Sequence, residues 1–472
     1  MLRPTSTELT AFRSLAAVAG LAHGILSEDN KLRREDRAAH DWYRFVLSFP
    51  PHLVRTYVKR FQAHAGNRIL DPFCGTGTTL VESKKLGLAS VGLERNPMAC
   101  FASRIKASWN IDPDGLMAHA HEVALLALRR LQSERIEDEP ALPLFAAKVR
   151  STPPILRDLP DETRKLLLGH SISPLPLHKA LVLLDALEEK RDERFDGHER
   201  LAFAKAMVFN ASNLQFGPEV GVGLPKPDAA VVRPWLKAVE MMASDIRELS
   251  DRSDAPSLTY QGDARRVSEI LEPLSVDVVI TSPPYPNEKD YTRTTRLESV
   301  LLGFVRDKQG LRSLKQDLVR SNTRSVYKDD TDDRLIAENE EIEGIAQAIE
   351  NRRIALRKTS GFERQYARVT KLYFGGMARH FADLRSVLRP GAQLAYVVGD
   401  QASYLRVMIR TGKLLADIAT SLGYEVTGID LFRTRLATAT KATLREEVVI
   451  LRWPGNARST SNVPGLSSAG GN

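Results

Sequence analysis

Apolar residues fall into two periods along this chain. Short apolar runs bounded by turn residues read as buried strands: Asn67-Arg-Ile-Leu-Asp71, Ala89-Ser-Val-Gly-Leu-Glu94, Ser257-Leu-Thr-Tyr-Gln-Gly-Asp263, Val276-Asp-Val-Val-Ile-Thr281 and Gln393-Leu-Ala-Tyr-Val-Val-Gly399. A helical pattern over Leu80–Leu86 separates the first two, and Asn96-Pro97 opens another helix, with Pro97 suited to a first turn. Arg379–Leu388 reads as a helix, Pro390-Gly391 as a turn, and Leu414–Leu422 as a helix stopped by Gly423. Tyr424–Phe432 and Glu446–Trp453 predict two closing strands near enough in sequence to pair antiparallel. Strand alternating with helix predicts an α/β fold with a doubly wound sheet.

The alternation is interrupted twice. From about Asp112 to Asp254 only helical patterns with Pro-rich joints appear: Leu116–Leu131, His178–Lys190, Glu199–Asn213 and Pro234–Leu249. This predicts a large helical insertion over 112–255, in which the loop-like break Asn210–Gly223 reads either as a target-recognition loop or as a simple interdomain turn. A second insertion over 301–370 is polar and charged. The core is then expected in three pieces, 67–111, 256–300 and 371–455, preceded by a helical segment over 1–66. The Ser/Gly/Asn/Pro-rich tail 456–472 is expected to be disordered.

At 472 residues, 43% hydrophobic and 27% charged, the chain can bury a sizeable core. Its net charge of +8 favours an anionic partner, nucleic acid first. Cys74 and Cys100 exclude a disulfide framework and a zinc cluster, and no metal is expected. No apolar run reaches the roughly 18 residues of a membrane span. Leu9–Leu26 reads as an amphipathic helix rather than a signal peptide, so a cytoplasmic location without membrane contact is expected.

Two segments carry chemistry. Asp71-Pro-Phe-Cys-Gly-Thr-Gly-Thr-Thr79 lies where a strand becomes a helix; Gly75 and Gly77 permit a tight turn, and helix-start N–H groups suit an anion. Such a turn serves a dinucleotide equally well, or merely shapes a connection. Asp71 ends its strand, where it could receive an ammonium, and Glu94 ends the next, where a carboxylate can accept from ribose hydroxyls. Ser282-Pro-Pro-Tyr285 follows a buried strand. Its prolines rigidify the backbone and leave carbonyl acceptors, and Tyr285 can stack on a base.

DPFCGTGTT at 71–79 and TSPPY at 281–285 together resemble the bacterial amino-methylating (N4-cytosine/N6-adenine) DNA methyltransferases, over about half of the chain. The resemblance implies a Rossmann-like methyltransferase sheet that binds S-adenosylmethionine. It implies cofactor roles for Asp71 (ammonium), Phe73, Gly75, Thr76, Gly77, Thr78, Glu94 (ribose) and Asp263 (adenine amino group). Ser282, Pro283, Pro284 and Tyr285 would be catalytic, with direct displacement on a base flipped from double-stranded DNA. Ser282 before Pro-Pro favours cytosine N4 over adenine N6. Tyr43–Pro51 resembles the segment that packs over the cofactor, although a plain helix-start reading with Phe45 and Phe49 in the core fits as well. Arg352, Arg353, Arg357, Lys358, Arg364 and Arg368 are expected to contact DNA phosphates. A cognate restriction enzyme is an expected partner. An RNA base methyltransferase and a non-catalytic nucleic-acid-binding relic are the competing readings.

Overall fold

The computed structural model describes residues 32–43, 48–140, 155–217, 219–252, 254–287, 289–436 and 443–455. The expected helix over Leu9–Leu26, Phe45 and the tail 456–472 lie outside the described residues. Nine strands are described: β1 (Arg68–Asp71), β2 (Ala89–Leu93), β3 (Leu214–Phe216), β4 (Val220–Val222), β5 (Ser257–Tyr260), β6 (Val276–Thr281), β7 (Leu388–Gly399), β8 (Glu425–Leu436) and β9 (Thr443–Arg452). The principal helices are α1 (Pro51–Arg60), α2 (Thr78–Lys85), α3 (Pro97–Lys106), α4 (Pro113–Ser133), α5 (Pro174–Glu189), α6 (Asp196–Ala206), α7 (Val232–Leu249), α8 (Glu340–Ala355), α9 (Tyr366–Leu384) and α10 (Thr411–Ser421).

Seven strands form one sheet in the order β5-β2-β1-β6-β7-β9-β8. The first five run parallel, and β9 is antiparallel to both β7 and β8. The fold is thus the expected doubly wound, Rossmann-like sheet closed by a C-terminal antiparallel pair. Strand order reverses between β1 and β6, so their adjacent carboxyl ends open a crevice there.

Both faces of the sheet's central strands are covered, which explains their nearly continuous apolar runs. Ile69, Val278, Ile280, Val397 and Ile450 pack beneath Leu53, Val54 and Tyr57 of α1. The alternate residues Leu70, Val279, Leu394, Tyr396 and Leu451 meet α9 and α10 through Tyr373, Phe381, Leu415 and Ile418. Helices α4 to α7 build their own core, and Met98 and Ala102 of α3 join it. In α7 the buried positions Trp235, Ala238, Val239, Met242, Ala243 and Ile246 trace one helical face.

Three expectations need correction. The insertion over 112–255 is not wholly helical, because β3 and β4 pair as an antiparallel ribbon at the loop-like break. The boundary expected at 371 falls inside the continuous helix α9. Pro390-Gly391 is not a separate turn but a bulge within β7: pairing to β6 skips from Leu388 to Gln393, and the Gly391 N–H bonds the Trp453 carbonyl instead.

Candidate active site

The crevice between β1 and β6 is a cleft of about 640 Å³. On one side lies the turn from β1 into α2. Gly75 and Gly77 hold φ of +51° and +85°, and Gly77 is also the N-cap of α2. A Cβ on Gly77 would stand 2.6 Å from Ser103 Oγ and 3.1 Å from Ser103 Cα, so the turn tolerates no side chain there. Phe73, Gly75, Thr76 and Thr78 line the cleft, and Phe73 meets His380 edge-on at 5.0 Å.

The anion that meets the turn is the chain's own. Gly75 N–H donates to Glu94 Oε2 (2.9 Å) and Asn96 N–H to Oε1 (2.7 Å). Burial lifts Glu94 to about pKa 7, the two backbone donors opposing it only in part. Asp71 corrects an expectation. It is fully buried and lies behind the cleft wall rather than on it. Thr281 Oγ1 (2.6 Å) and Phe73 N–H (3.1 Å) draw its Oδ1 into the gap between the strands, and Oδ2 is left without a hydrogen bond. Burial raises Asp71 to about pKa 6, although the Thr281 hydroxyl holds it down. Thr76 Oγ1, also buried, is likewise unpartnered.

Asp263 lines the cleft beyond β5, but Arg265 grips both of its oxygens (3.1, 3.2 and 2.7 Å). Burial pushes its pKa up, and the guanidinium outweighs burial, leaving it below the ordinary carboxylate value. Arg265 in turn bonds Asp332 (2.7 Å).

Ser282, Pro283, Pro284 and Tyr285 form the facing wall. Ser282 Oγ donates to the Val397 carbonyl of β7 (3.0 Å) and also lies in hydrogen-bond reach of the Tyr285 hydroxyl, which leaves it capacity to accept one further donor. The Tyr285 ring lies close over Gly399, where an added Cβ would meet Cε2 at 3.1 Å. Lys289, Gln401, Arg433, Arg435 and Glu446 complete this end, and Glu219 reaches it from the tip of the β3–β4 ribbon. The sequence pointed to two of their segments, the one after Tyr285 that holds Lys289 and the loop-like break that holds Glu219, but not to Gln401, Arg433, Arg435 or Glu446, which follow no recognisable motif.

The six basic residues expected at DNA do not line the cleft. Arg353 pairs with Glu350 (2.6 Å), Lys358 with Glu363 (3.4 Å), and Arg352 and Arg368 bond backbone carbonyls. Arg357 and Arg364 are exposed and make no ion pair among the described residues. Also among the described residues, no helix is long and apolar enough to cross a membrane.

A mostly parallel sheet with a glycine turn and a Pro-Pro track on either side of its switch point places the site in the class of doubly wound α/β folds. Comparison with known proteins narrows the class. The N6/N4 methyltransferase family model, described as a DNA methylase, matches residues 26–103. The Type II methyltransferase M.BsoBI of Geobacillus stearothermophilus is 25% identical over 460 residues, covering 89% of this chain and 86% of that protein. The Type II methyltransferase M.AvaI of Nostoc sp. is 22% identical over 455 residues, covering 89% and 87%. Among solved structures, the rRNA methyltransferase aviRa from Streptomyces viridochromogenes overlays 90% of this chain and 95% of its own at 12% identity, with a TM-score of 0.31, too low to carry weight. The likeness to Type II methyltransferases thus spans nearly the whole chain, and the likeness to the N6/N4 DNA methylase model covers residues 26–103.

Proposed function

We propose that this protein transfers a methyl group from S-adenosylmethionine to the exocyclic amino group of a base flipped out of double-stranded DNA, cytosine N4 in preference to adenine N6. The observation that carries the proposal is Ser282: it shares one cleft with the glycine turn, and its hydroxyl proton is committed to Val397. The near-full-length relatives, named as Type II methyltransferases, support the DNA substrate. A restriction enzyme of the same specificity is the partner that this reading implies.

The residues present fit the cofactor. Thr76 Oγ1 is a buried, unpartnered hydroxyl on the cleft wall. Glu94 spends one contact per oxygen on backbone N–H groups, and a carboxylate has about four lone-pair sites, so acceptors remain for two ribose hydroxyls. Asp71 supplies negative charge from behind Pro72 and Phe73, which favours an ammonium across that wall. Asp263, shared with Arg265, would accept from the adenine amino group. Bound S-adenosylmethionine supplies a sulfonium methyl as the electrophile.

The chain's own work is positioning. An exocyclic amino nitrogen is a poor nucleophile because its lone pair is conjugated into the ring. Ser282 Oγ and the Pro283 carbonyl would accept its two protons and draw it towards tetrahedral geometry, while Tyr285 stacks on the ring. No covalent enzyme intermediate is required.

The test is sequencing of genomic DNA for modified bases after expression in a host that lacks them. A 4-methylcytosine mark at one fixed sequence is expected, absent with Asp71→Ala or Tyr285→Ala. A mark on adenine would overturn the base assignment, and labelled methyl groups found in RNA but not in DNA would overturn the substrate.

A further inference from the structure

Four cations line the cleft: Arg95, Lys289, Arg433 and Arg435. Three are matched. Arg95 bonds Asp317 (2.9 Å), Arg433 grips Glu446 through two nitrogens (2.6 and 2.9 Å), and Arg435 pairs with the same carboxylate (3.2 Å). Lys289 differs: among the described residues its ammonium makes no hydrogen bond and no ion pair. Of the two acids that flank it in sequence, Glu288 lies outside the described residues, and Asp290 is buried, pairs with Lys315 (2.6 Å) and caps the short helix Tyr291–Thr294. The charged groups that face Lys289 are Glu219 from the β3–β4 ribbon, Glu446 from β9 and Arg435 from β8. Glu446 is already divided between two guanidinium groups.

The backbone that presents this lysine is fixed. Lys289 N–H donates to Asn287 Oδ1 (3.3 Å), and its carbonyl accepts from Asn322 Nδ2 (3.1 Å) and Ser321 Oγ (3.5 Å). The loop therefore holds a half-buried ammonium, unmatched among the described residues, four residues beyond Tyr285 and in the cleft that contains Ser282. Burial pushes its pKa down, the sign of a charge short of compensation. Such a charge is unfavourable until an acceptor reaches it.

An ammonium offers three N–H donors and no acceptor. On the edge that carries its amino group, cytosine presents a ring nitrogen and then a carbonyl oxygen, both acceptors. The matching edge of adenine presents a ring nitrogen and then only a C–H. Once acceptors on the loop hold both amino protons, a donor further along this edge tells the two bases apart by the carbonyl. We propose that Lys289 selects the target base, its ammonium donating to the carbonyl oxygen of a flipped cytosine whose amino group Ser282 holds. The assignment rests on the reading of the cleft as an amino-methylating site for a flipped base. Donation to the carbonyl draws electron density from the amino nitrogen, so the contact strengthens binding and selection rather than the rate of methyl transfer.

The test uses the full chain, S-adenosylmethionine, and duplexes carrying cytosine or adenine at the target position found by sequencing. Lys289→Met is expected to raise Kd and KM for the cytosine duplex about ten- to a hundredfold, the range for a hydrogen bond from a charged donor, with kcat changed far less. Kd for the adenine duplex is expected to stay where it was, so discrimination falls by the same factor. Lys289→Arg, which keeps a donor, is expected to retain most of it. Unchanged S-adenosylmethionine affinity in Lys289→Met verifies that the cleft is intact. Equal losses on both duplexes, with the salt slope of binding reduced by about one, would mean a phosphate contact and overturn the assignment. No loss on either duplex overturns it as well. If the wild-type protein methylates no DNA, the reading of the cleft itself has failed; if it methylates cytosine and Lys289→Met still discriminates, only the role of Lys289 has.

Discussion

Asp71 and Glu94 sit at consecutive strand ends, and burial raises both above their ordinary values of 3.8 and 4.5, to about 6 and about 7. The consequences for stability and for binding have opposite signs. In the ligand-free protein the native state holds extra protons between the ordinary and raised values, so these groups lower stability as pH rises from about 4 to about 7. The proposed cofactor contacts call for ionised carboxylates, so on that reading S-adenosylmethionine affinity is expected to fall as pH drops through 7 towards 6. Calorimetric titration between about pH 5.5 and about pH 8.5 measures this. Glu94→Gln should weaken binding about tenfold at the alkaline end, the loss expected from one charge-assisted hydrogen bond, and should flatten the limb near 7. An affinity that does not vary with pH in the wild type would remove both carboxylates from the cofactor site. At this scale the sequence was legible in kind but not in partnership. The spacing from Asp71 to Glu94 marks two strand ends, whereas the Thr281 hydroxyl that holds Asp71 is 210 residues away, joined only by the β1–β6 pairing. The same hydrogen bond explains why Asp71 sits behind the cleft wall, which no spacing could reveal.

Among the elements, α9 was the least legible. The helical pattern was expected over Arg379–Leu388, yet the helix runs from Tyr366 to Leu384 with Gly375-Gly376 in its middle. Glycine lowers helix propensity, so the pair hides the helix from a reading of local preference. Its purpose is tertiary. A Cβ on Gly375 would lie 1.9 Å from the Asp332 carbonyl oxygen and 2.4 Å from its carbon, so the 3₁₀ turn Asp332–Ile336 can seat on α9 only against bare backbone. Asp332 then receives Arg265 (2.7 Å) and Arg379 (2.8 Å), and Arg265 fixes Asp263 in the cleft. Gly375→Ala is therefore expected to destabilise the protein by about 2–3 kcal/mol, as overpacking does, and to weaken cofactor binding through the displaced Arg265. Gly344→Ala is the control: it is exposed in α8, an added Cβ meets nothing within 4 Å, and a gain of about 0.5–1 kcal/mol is expected. Thermal unfolding of the two variants beside the wild type decides it; equal midpoints for both would mean that the turn packs elsewhere. The central parallel strands β1, β2 and β6, by contrast, were legible because both faces are buried, so each reads as an apolar run whatever its neighbours.

Across the whole molecule, a net charge of +8 was read as a preference for an anionic partner, with residues 352–368 as its focus. The fold redistributes that charge. Glu350 lies one turn before Arg353 in α8, Glu363 sits beside Lys358, and Arg352 and Arg368 are drawn to backbone carbonyls, so part of the basic run is already occupied. Counterions are released only by cations that reach phosphate unpaired, and each contributes about 0.9 to the slope of log affinity against log salt. Arg357 and Arg364 meet that condition among the described residues; Arg353 and Lys358 do not. If this face holds the duplex while a base occupies the cleft, replacing Arg357 and Arg364 together by alanine should reduce the slope by about two and weaken binding alike on any sequence. Replacing Arg353 and Lys358 should also free Glu350 and Glu363, so affinity at low salt should fall further than the modest change in slope implies. Fluorescence anisotropy of a labelled duplex over a range of sodium chloride separates the pairs. An unchanged slope in the Arg357/Arg364 variant would mean that this face does not hold the duplex.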